Sequence, residues 1–147
     1  MKQYYAYENF KQDTKQLLQL LETFQADAIV GIARGGLTLS HAVAEALNIR
    51  NVEIIRTELY DQKNKRNSIS IFGSCSFKEA KKVLVLDDIA DSGETLKTIM
   101  EYLEENHREI EFKSATLFYK KSSIYKPHFW VNEANCWIEF FWEKDFL

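Results

Sequence analysis

The stretch VLVLDDIADSGETL, residues 83–96, ends an apolar run in two aspartates, Asp87 and Asp88, with a third, Asp91, three residues on. Ser92, Gly93, Glu94 and Thr95 follow before apolar residues resume. Backbone N–H groups at the start of a helix are unpaired donors and suit a phosphate. The Ser92 and Thr95 hydroxyls add donors, and Gly93 allows a tight turn or close backbone approach. Asp87 and Asp88 cannot favour a bare phosphate by charge. They can accept hydrogen bonds from vicinal hydroxyls such as a ribose diol, and they can hold Mg²⁺ through water. A sugar phosphate with magnesium uses both halves of the stretch. Asp91, at the start of the turn, is free to face a reacting group. For any one residue a plainer role exists: Asp88, Asp91 or Ser92 could cap the helix. For the whole cluster that account is poor, because carboxylates at the end of a core strand are costly unless paired or bound.

GIARGG, residues 31–36, is a second strand-to-helix turn and a second anion site. Arg34 can hold a phosphate or pyrophosphate oxygen while Gly35 and Gly36 let the backbone approach. Taken alone, an Arg-Gly-Gly turn is equally just a turn. It is neither the GxGxxG dinucleotide fingerprint nor a GxxxxGK[ST] phosphate loop. The two cysteines, Cys75 and Cys136, form no CxxC pair and read as reduced, structural residues; the three histidines are scattered, against a zinc site.

The elements that must position these turns read as follows. Leu17, Leu20, Leu21 and Phe24 give residues 13–24 a helical face. Residues 27–32, DAIVGI, form a short buried strand, and Leu39 to Leu47 follow helical spacing. Residues 51–60 form a second strand, 61–68 (DQKNKRNS) a polar loop, and 69–72 a short strand returning beside 57–60. The run KVLVLD, residues 82–87, is apolar throughout before its aspartate, as in a central parallel strand covered on both faces. Leu96, Ile99, Met100 and Leu103 mark a helix and 111–119 a further strand; the aromatic tail from Ser122 holds short strands and turns. Strand, helix, strand in this order predicts an α/β single domain with a mostly parallel sheet flanked by helices. In such sheets ligands bind outside the carboxyl ends of the strands, where both turns fall. The length of 147 residues suits one core, and 46% hydrophobic with 28% charged residues is a globular composition. A net charge of −3 lends no support to a nucleic-acid surface. Without an apolar run of about 18 residues no membrane span is expected, and the N-terminal residues lack a signal-peptide core, so a cytoplasmic protein is expected.

Together these stretches resemble the type I phosphoribosyltransferases, and VLVLDDIADSGETL resembles that family's binding motif for 5-phosphoribosyl-1-pyrophosphate. The resemblance extends over essentially the whole chain and is strongest to the bacterial xanthine-guanine (purine) branch, through TLFYK, CWIEFFWEKD and YYAYENF. It implies one domain, 1–147, with a small hood from the N- and C-terminal segments. Residues 60–72 would be a mobile active-site loop, and 120–147 part of a purine-binding hood. It implies that Asp87 and Asp88 hold the ribose hydroxyls, directly or through Mg²⁺ and water. Ile89 and Ala90 would complete the sugar site, and Asp91, Ser92, Gly93, Glu94 and Thr95 would cradle the 5′-phosphate. Ala33, Arg34 and Gly35 would line a pyrophosphate loop containing a cis peptide bond. Asp91 would face the purine N7 as acid/base, with Arg34 as the second catalytic residue. Lys120 would donate to a 6-oxo group, Trp137 would stack on the ring, and the Ile138 backbone would read the 2-substituent. Tyr60, Lys63, Lys65 and Arg66 would approach pyrophosphate when the loop closes, excluding water.

The implied reaction is phosphoribose transfer to N9 of guanine, xanthine or hypoxanthine, by a homodimer or homotetramer that takes small-molecule substrates. Read from the residues alone, the aromatic tail suits core as well as a ligand platform, and Lys120 looks like its neighbour Lys121. Ser92 stands where the motif often has threonine, which keeps the hydroxyl. The loop 61–72 differs in detail from the branch. A rival from another class is a non-catalytic nucleotide or phosphoribose sensor on the same fold, against which the pyrophosphate loop and Lys120 argue. A phospho-accepting receiver fits poorly, since its acids are not gathered in one late turn.

Overall fold

A computed structural model describes residues 1–60 and 68–147. The chain begins with strand β1 (Lys2–Tyr5) and helix α1 (Tyr7–Leu21). Phe10, Thr14, Leu17 and Leu21 recur at helical spacing and form its buried face. The helix starts six residues before the expected position because Asn9 Oδ1 accepts the Ala6 N–H at 3.2 Å, fixing its entry. It stops at Leu21, and Phe24 is buried from the turn beyond rather than from the helix.

Strand β2 (Ala28–Ala33) leads through the Arg34–Gly36 turn into α2 (Leu37–Leu47), then β3 (Val52–Tyr60), β4 (Ser68–Phe72), β5 (Lys82–Ala90), α3 (Glu94–Asn106) and β6 (Glu111–Tyr119). Strands β7 (Phe129–Glu133) and β8 (Trp137–Phe140) and the single-turn α4 (Phe141–Lys144) complete the chain. The main sheet has the order β4-β3-β2-β5-β6-β7, parallel except for the antiparallel β3–β4 pair, in which Tyr60 opposes Ser68. Lys63, Lys65 and Arg66 lie outside the described residues.

Strand β5 is covered on both faces, as its unbroken apolar run requires. Leu84 and Leu86 pack on one side with Leu17 of α1 and Leu39 and Val43 of α2. Val83 and Val85 pack on the other with Leu96, Ile99, Met100 and Leu103 of α3. The strand also runs further than its apolar stretch suggests. Its pairing with β2 ends at Gly31–Leu86, but its pairing with β6 continues to Ala90–Tyr119. Asp87 and Asp88 are therefore strand residues in a gap that opens where β2 turns away. Since β2 leads to β3 on one side and has β5 on the other, this gap is the sheet's topological switch point, the usual place for a ligand.

A second, two-stranded sheet joins the ends of the chain. β1 pairs parallel with β8, setting Lys2 opposite Trp137 and Tyr5 opposite Phe140. Residues 2–5 give no such signal, because four residues have no periodicity and their partner is more than 130 positions away. Tyr5 is buried, and its hydroxyl donates to Asp13 Oδ2 at 2.6 Å. Asn132 of β7 donates to the same oxygen at 2.7 Å, so one carboxylate of α1 ties the hood to the main sheet.

Gly36 sits where the turn crosses β5. A Cβ there would lie 2.5 Å from the Leu86 carbonyl oxygen and 2.8 Å from that of Ile32, both backbone atoms that cannot swing aside. Gly36→Ala is expected to destabilise the protein by about 1–3 kcal/mol, as overpacking does. A lowered urea midpoint at unchanged slope would register it, and an unchanged midpoint would show that the turn has slack.

Candidate functional site

The ends of β2, β5 and β6 and the hood strand β8 converge on one cleft. Ala33 closes β2, and the Ala33–Arg34 peptide is cis. Arg34 is exposed, and the turn brings Gly35 against β5. A Cβ on Gly35 would overlap the Asp88 carboxyl, reaching within 2.7 Å of its Cγ. The absent side chain thus lets the second anion turn lie directly on the acidic strand end.

Asp87 and Asp88 are successive residues of the strand end whose carboxyls lie within reach of each other. Asp88 is 9% exposed, and its own N–H donates to Asp87 Oδ1 at 2.8 Å. Burial pushes the Asp88 carboxyl up to about 6, hydrogen bonding to Asp87 and the Ile89 backbone partly offsets this, and the Glu143 charge adds to the rise. Asp87 is also held well above the carboxylate range, by burial and then by the charge of Asp88. Two adjacent acids that resist ionising suit a bound cation. Among the described residues no group of three or more His, Cys, Asp and Glu forms a metal cage. Two hard oxygen donors without a cage fit Mg²⁺, which keeps several waters and takes its remaining ligands from substrate.

Ile89 and Ala90 finish β5, and Asp91, Ser92 and Gly93 make the turn into α3, whose first residues are Glu94 and Thr95. The N-cap is Gly93, in the left-handed region, with no side chain capping the helix, and Ser92 Oγ accepts the Glu94 N–H at 3.2 Å across the turn. Asp91 is left free of capping. Its Oδ1 instead lies 2.8 Å from Lys120 Nζ, just beyond the end of β6. Adjacent residues differ here in a way the sequence does not reveal. Lys121 is 81% exposed and meets only Glu133 at 3.7 Å, whereas Lys120 is 32% exposed and turned into the cleft.

Asp91 and Lys120 line a solvent-open cavity together with Trp137 and Ile138 of β8 and with Asp88 and Ile89 of β5. Trp137 is 59% exposed. The other tryptophans pack: Trp142 stacks on Phe140 with centroids 4.6 Å apart, and Trp130 lies against Tyr119 at 5.3 Å. Cys136, Phe140 and Glu143 also line the cavity; they lie in the segment expected to form the purine hood but were not singled out within it. Glu143 Oε1 accepts the Phe140 N–H at 3.2 Å, as in a helix cap. A phenylalanine in the cap position hides that pattern from the sequence. Cys136 is placed by the link from β7 in the main sheet to β8 in the small one, for which neither composition nor spacing gives a cue. A second, larger space of about 1230 Å³ lies beside Arg34, Gly35, Leu37 and Thr38, bounded on its far side by Trp142, Glu143, Phe146 and Leu147.

Comparison with known proteins agrees with this geometry. The profile of the phosphoribosyl transferase domain matches residues 1–145. A xanthine-guanine phosphoribosyltransferase of Idiomarina loihiensis is 28% identical over 142 residues, covering 94% of this chain and 84% of its own. The solved xanthine-guanine-hypoxanthine phosphoribosyltransferase of Helicobacter pylori superposes with a TM-score of 0.93 at 34% identity, over 99% of this chain and 96% of that one. A purine phosphoribosyltransferase of Pyrococcus horikoshii superposes at 0.84 with 28% identity, over 97% and 95%.

The acidic pair carries a pH signature. The Asp88 value of about 6 lies above its ordinary 3.8, so between these values the folded protein keeps a proton that the unfolded chain has released. Asp88 therefore opposes folding increasingly as pH rises from about 4 to 6, and by a constant amount above, on the order of 3 kcal/mol. In ligand-free protein, Asp88→Asn is expected to raise the thermal midpoint at pH 7.5 by several degrees, with the gain shrinking toward pH 4. Parallel melting curves for the two proteins across that range would remove this account of the pair.

Proposed function

On the premise that the chain belongs to the type I phosphoribosyltransferases, we propose that it transfers phosphoribose from 5-phosphoribosyl-1-pyrophosphate to N9 of a 6-oxopurine. The acceptor is guanine, xanthine or hypoxanthine, and the products are the nucleoside monophosphate and pyrophosphate. The protein would serve purine salvage in the cytoplasm as a homodimer or homotetramer.

The observation that carries this reading is the Asp91–Lys120 pair. On a 6-oxopurine, O6 and N7 are neighbours on one edge. With the proton on N7, that edge presents an acceptor beside a donor. A lysine donor 2.8 Å from a carboxylate acceptor matches it group for group. A 6-aminopurine would set its own N–H donors against Lys120. Trp137, with much of its surface open to the cavity, can stack on the ring, and the Ile138 backbone can read position 2.

The sugar side follows from the two turns. The first turn of α3, with Ser92 and Thr95, holds the 5′-phosphate, and Asp87 and Asp88 accept from the ribose hydroxyls. Mg²⁺ held by Asp87 and Asp88 with water would supply positive charge beside the ribose and the departing pyrophosphate. Arg34 and the backbone at Ala33 and Gly35 take up pyrophosphate oxygens as the C1′–O bond breaks. Asp91 accepts the N7 proton as N9 bonds to C1′, so no covalent enzyme intermediate is needed.

Purified protein given Mg²⁺, activated sugar and one purine at a time is expected to form nucleotide from 6-oxopurines, with adenine slower by roughly 10⁴-fold. Failure with all three 6-oxopurines would overturn the reading, and binding of the sugar without pyrophosphate release would identify a sensor. Asp91→Ala is expected to lower kcat by roughly 10²–10⁴-fold; unchanged turnover would remove its assigned role. Lys120→Met should act chiefly on the KM for the purine, leaving that for the activated sugar nearly unchanged.

A further inference from the structure

The purine cavity is unbalanced in charge. Among the described residues its charged lining consists of Asp88 and Asp91 at the end of β5, Glu143 of α4, and one cation, Lys120 after β6; the thiol of Cys136 is the other ionisable group. Lys120 is already engaged by Asp91. A divalent cation on Asp87 and Asp88 would offset that pair and still leave one carboxylate in excess, with the Glu143 charge reaching Asp88. The lysine next to Glu143 in the chain, Lys144, is drawn away to Glu139 at 3.3 Å, as is Lys2 at 3.6 Å. The Glu143 carboxylate is held in place by the Phe140 N–H.

We infer that Glu143 makes this cavity discriminate against acidic bases, so that guanine and hypoxanthine are used ahead of xanthine. The inference rests on the purine-transfer reading above and concerns the choice within that substrate class. A base with O6 on Lys120 and N7 on Asp91 turns its C2–N3 edge toward the remaining lining, the Ile138 backbone with Cys136, Phe140 and Glu143. Guanine presents an amino donor at C2, which a carboxylate favours. Hypoxanthine presents only a C–H. Xanthine presents a carbonyl at C2 and is the most acidic of the three, losing its N3 proton near neutral pH. Its anion concentrates charge on the edge that faces Glu143. Like charges brought together in a site of low polarity are a strong basis for rejection.

The test is a set of initial rates with Mg²⁺ and saturating activated sugar, for each base, between pH 6.5 and 8.5. For the native protein, kcat/KM for guanine and hypoxanthine is expected to exceed that for xanthine on the order of tenfold at the alkaline end, with the gap narrowing toward pH 6.5. Glu143→Gln keeps an oxygen acceptor for the Phe140 N–H and removes the charge. It is expected to narrow the alkaline gap, mainly through a lower KM for xanthine. The native series needs no variant to fold, so the proposal stays testable if the variant is unstable. Xanthine used as well as guanine across the range, or a guanine-to-xanthine ratio unmoved in folded Glu143→Gln, would overturn the inference while leaving purine transfer standing. Absence of nucleotide from every base would overturn both.

Discussion

The site depends on a mismatch in strand pairing. β5 loses β2 as a partner after Leu86 but keeps β6 to Ala90. Along those four residues one edge of the strand is open, in the middle of the sheet rather than at its rim. An open edge inside a fold needs its backbone groups met and its space filled. Part of the space is filled by the Arg34–Gly36 turn, which lies so close that side chains on Gly35 and Gly36 would meet Asp88 and the Leu86 carbonyl. The remainder is left for a ligand.

The same mismatch explains why two adjacent carboxylates survive there. Both are driven toward their neutral forms, chiefly by desolvation; the Asp88 charge raises Asp87 further, while the hydrogen bond with Asp87 lowers Asp88. This is an unfavourable arrangement for the empty protein and a favourable one for a protein holding a cation and a diol. Stability is given up at the position where binding recovers it, as is common in functional sites.

The hood supplies what the sheet cannot. Its strands come from the two ends of the chain. They are fixed by backbone pairing, by the shared Asp13 carboxylate and by a cluster of rings: Tyr5, Phe118, Phe140 and Trp142 make edge or stacked contacts between 4.6 and 6.4 Å. This packing holds Phe140 and Trp142 of the aromatic tail. It leaves Trp137 turned outward over the cavity, with Glu143 close enough for its charge to act on Asp88. Sheet and hood together bring a lysine from the end of β6, an aspartate from the end of β5 and an indole from β8 to one small space.

The sequence by itself determined the elements whose pattern is local. The apolar run of β5, the helical spacing of α2 and α3 and the two glycine turns were all legible, because strand and helix periodicity and turn chemistry are properties of neighbours. The sugar-binding motif was legible for the same reason, since its carboxylates, hydroxyls and glycine fall within nine residues. Only the tertiary structure decided what depends on distant partners. Strand β1 exists because β8 lies beside it, and Lys120 differs from Lys121 because Asp91 is within reach. Gly93, with no capping side chain, is the N-cap of α3, and Asp91 meets Lys120. Cys136, Phe140 and Glu143 enter the cavity through the fold of the tail, where no spacing marks them. Local chemistry is written in adjacent residues; the meeting of residues far apart in the chain is fixed by the packing of the whole.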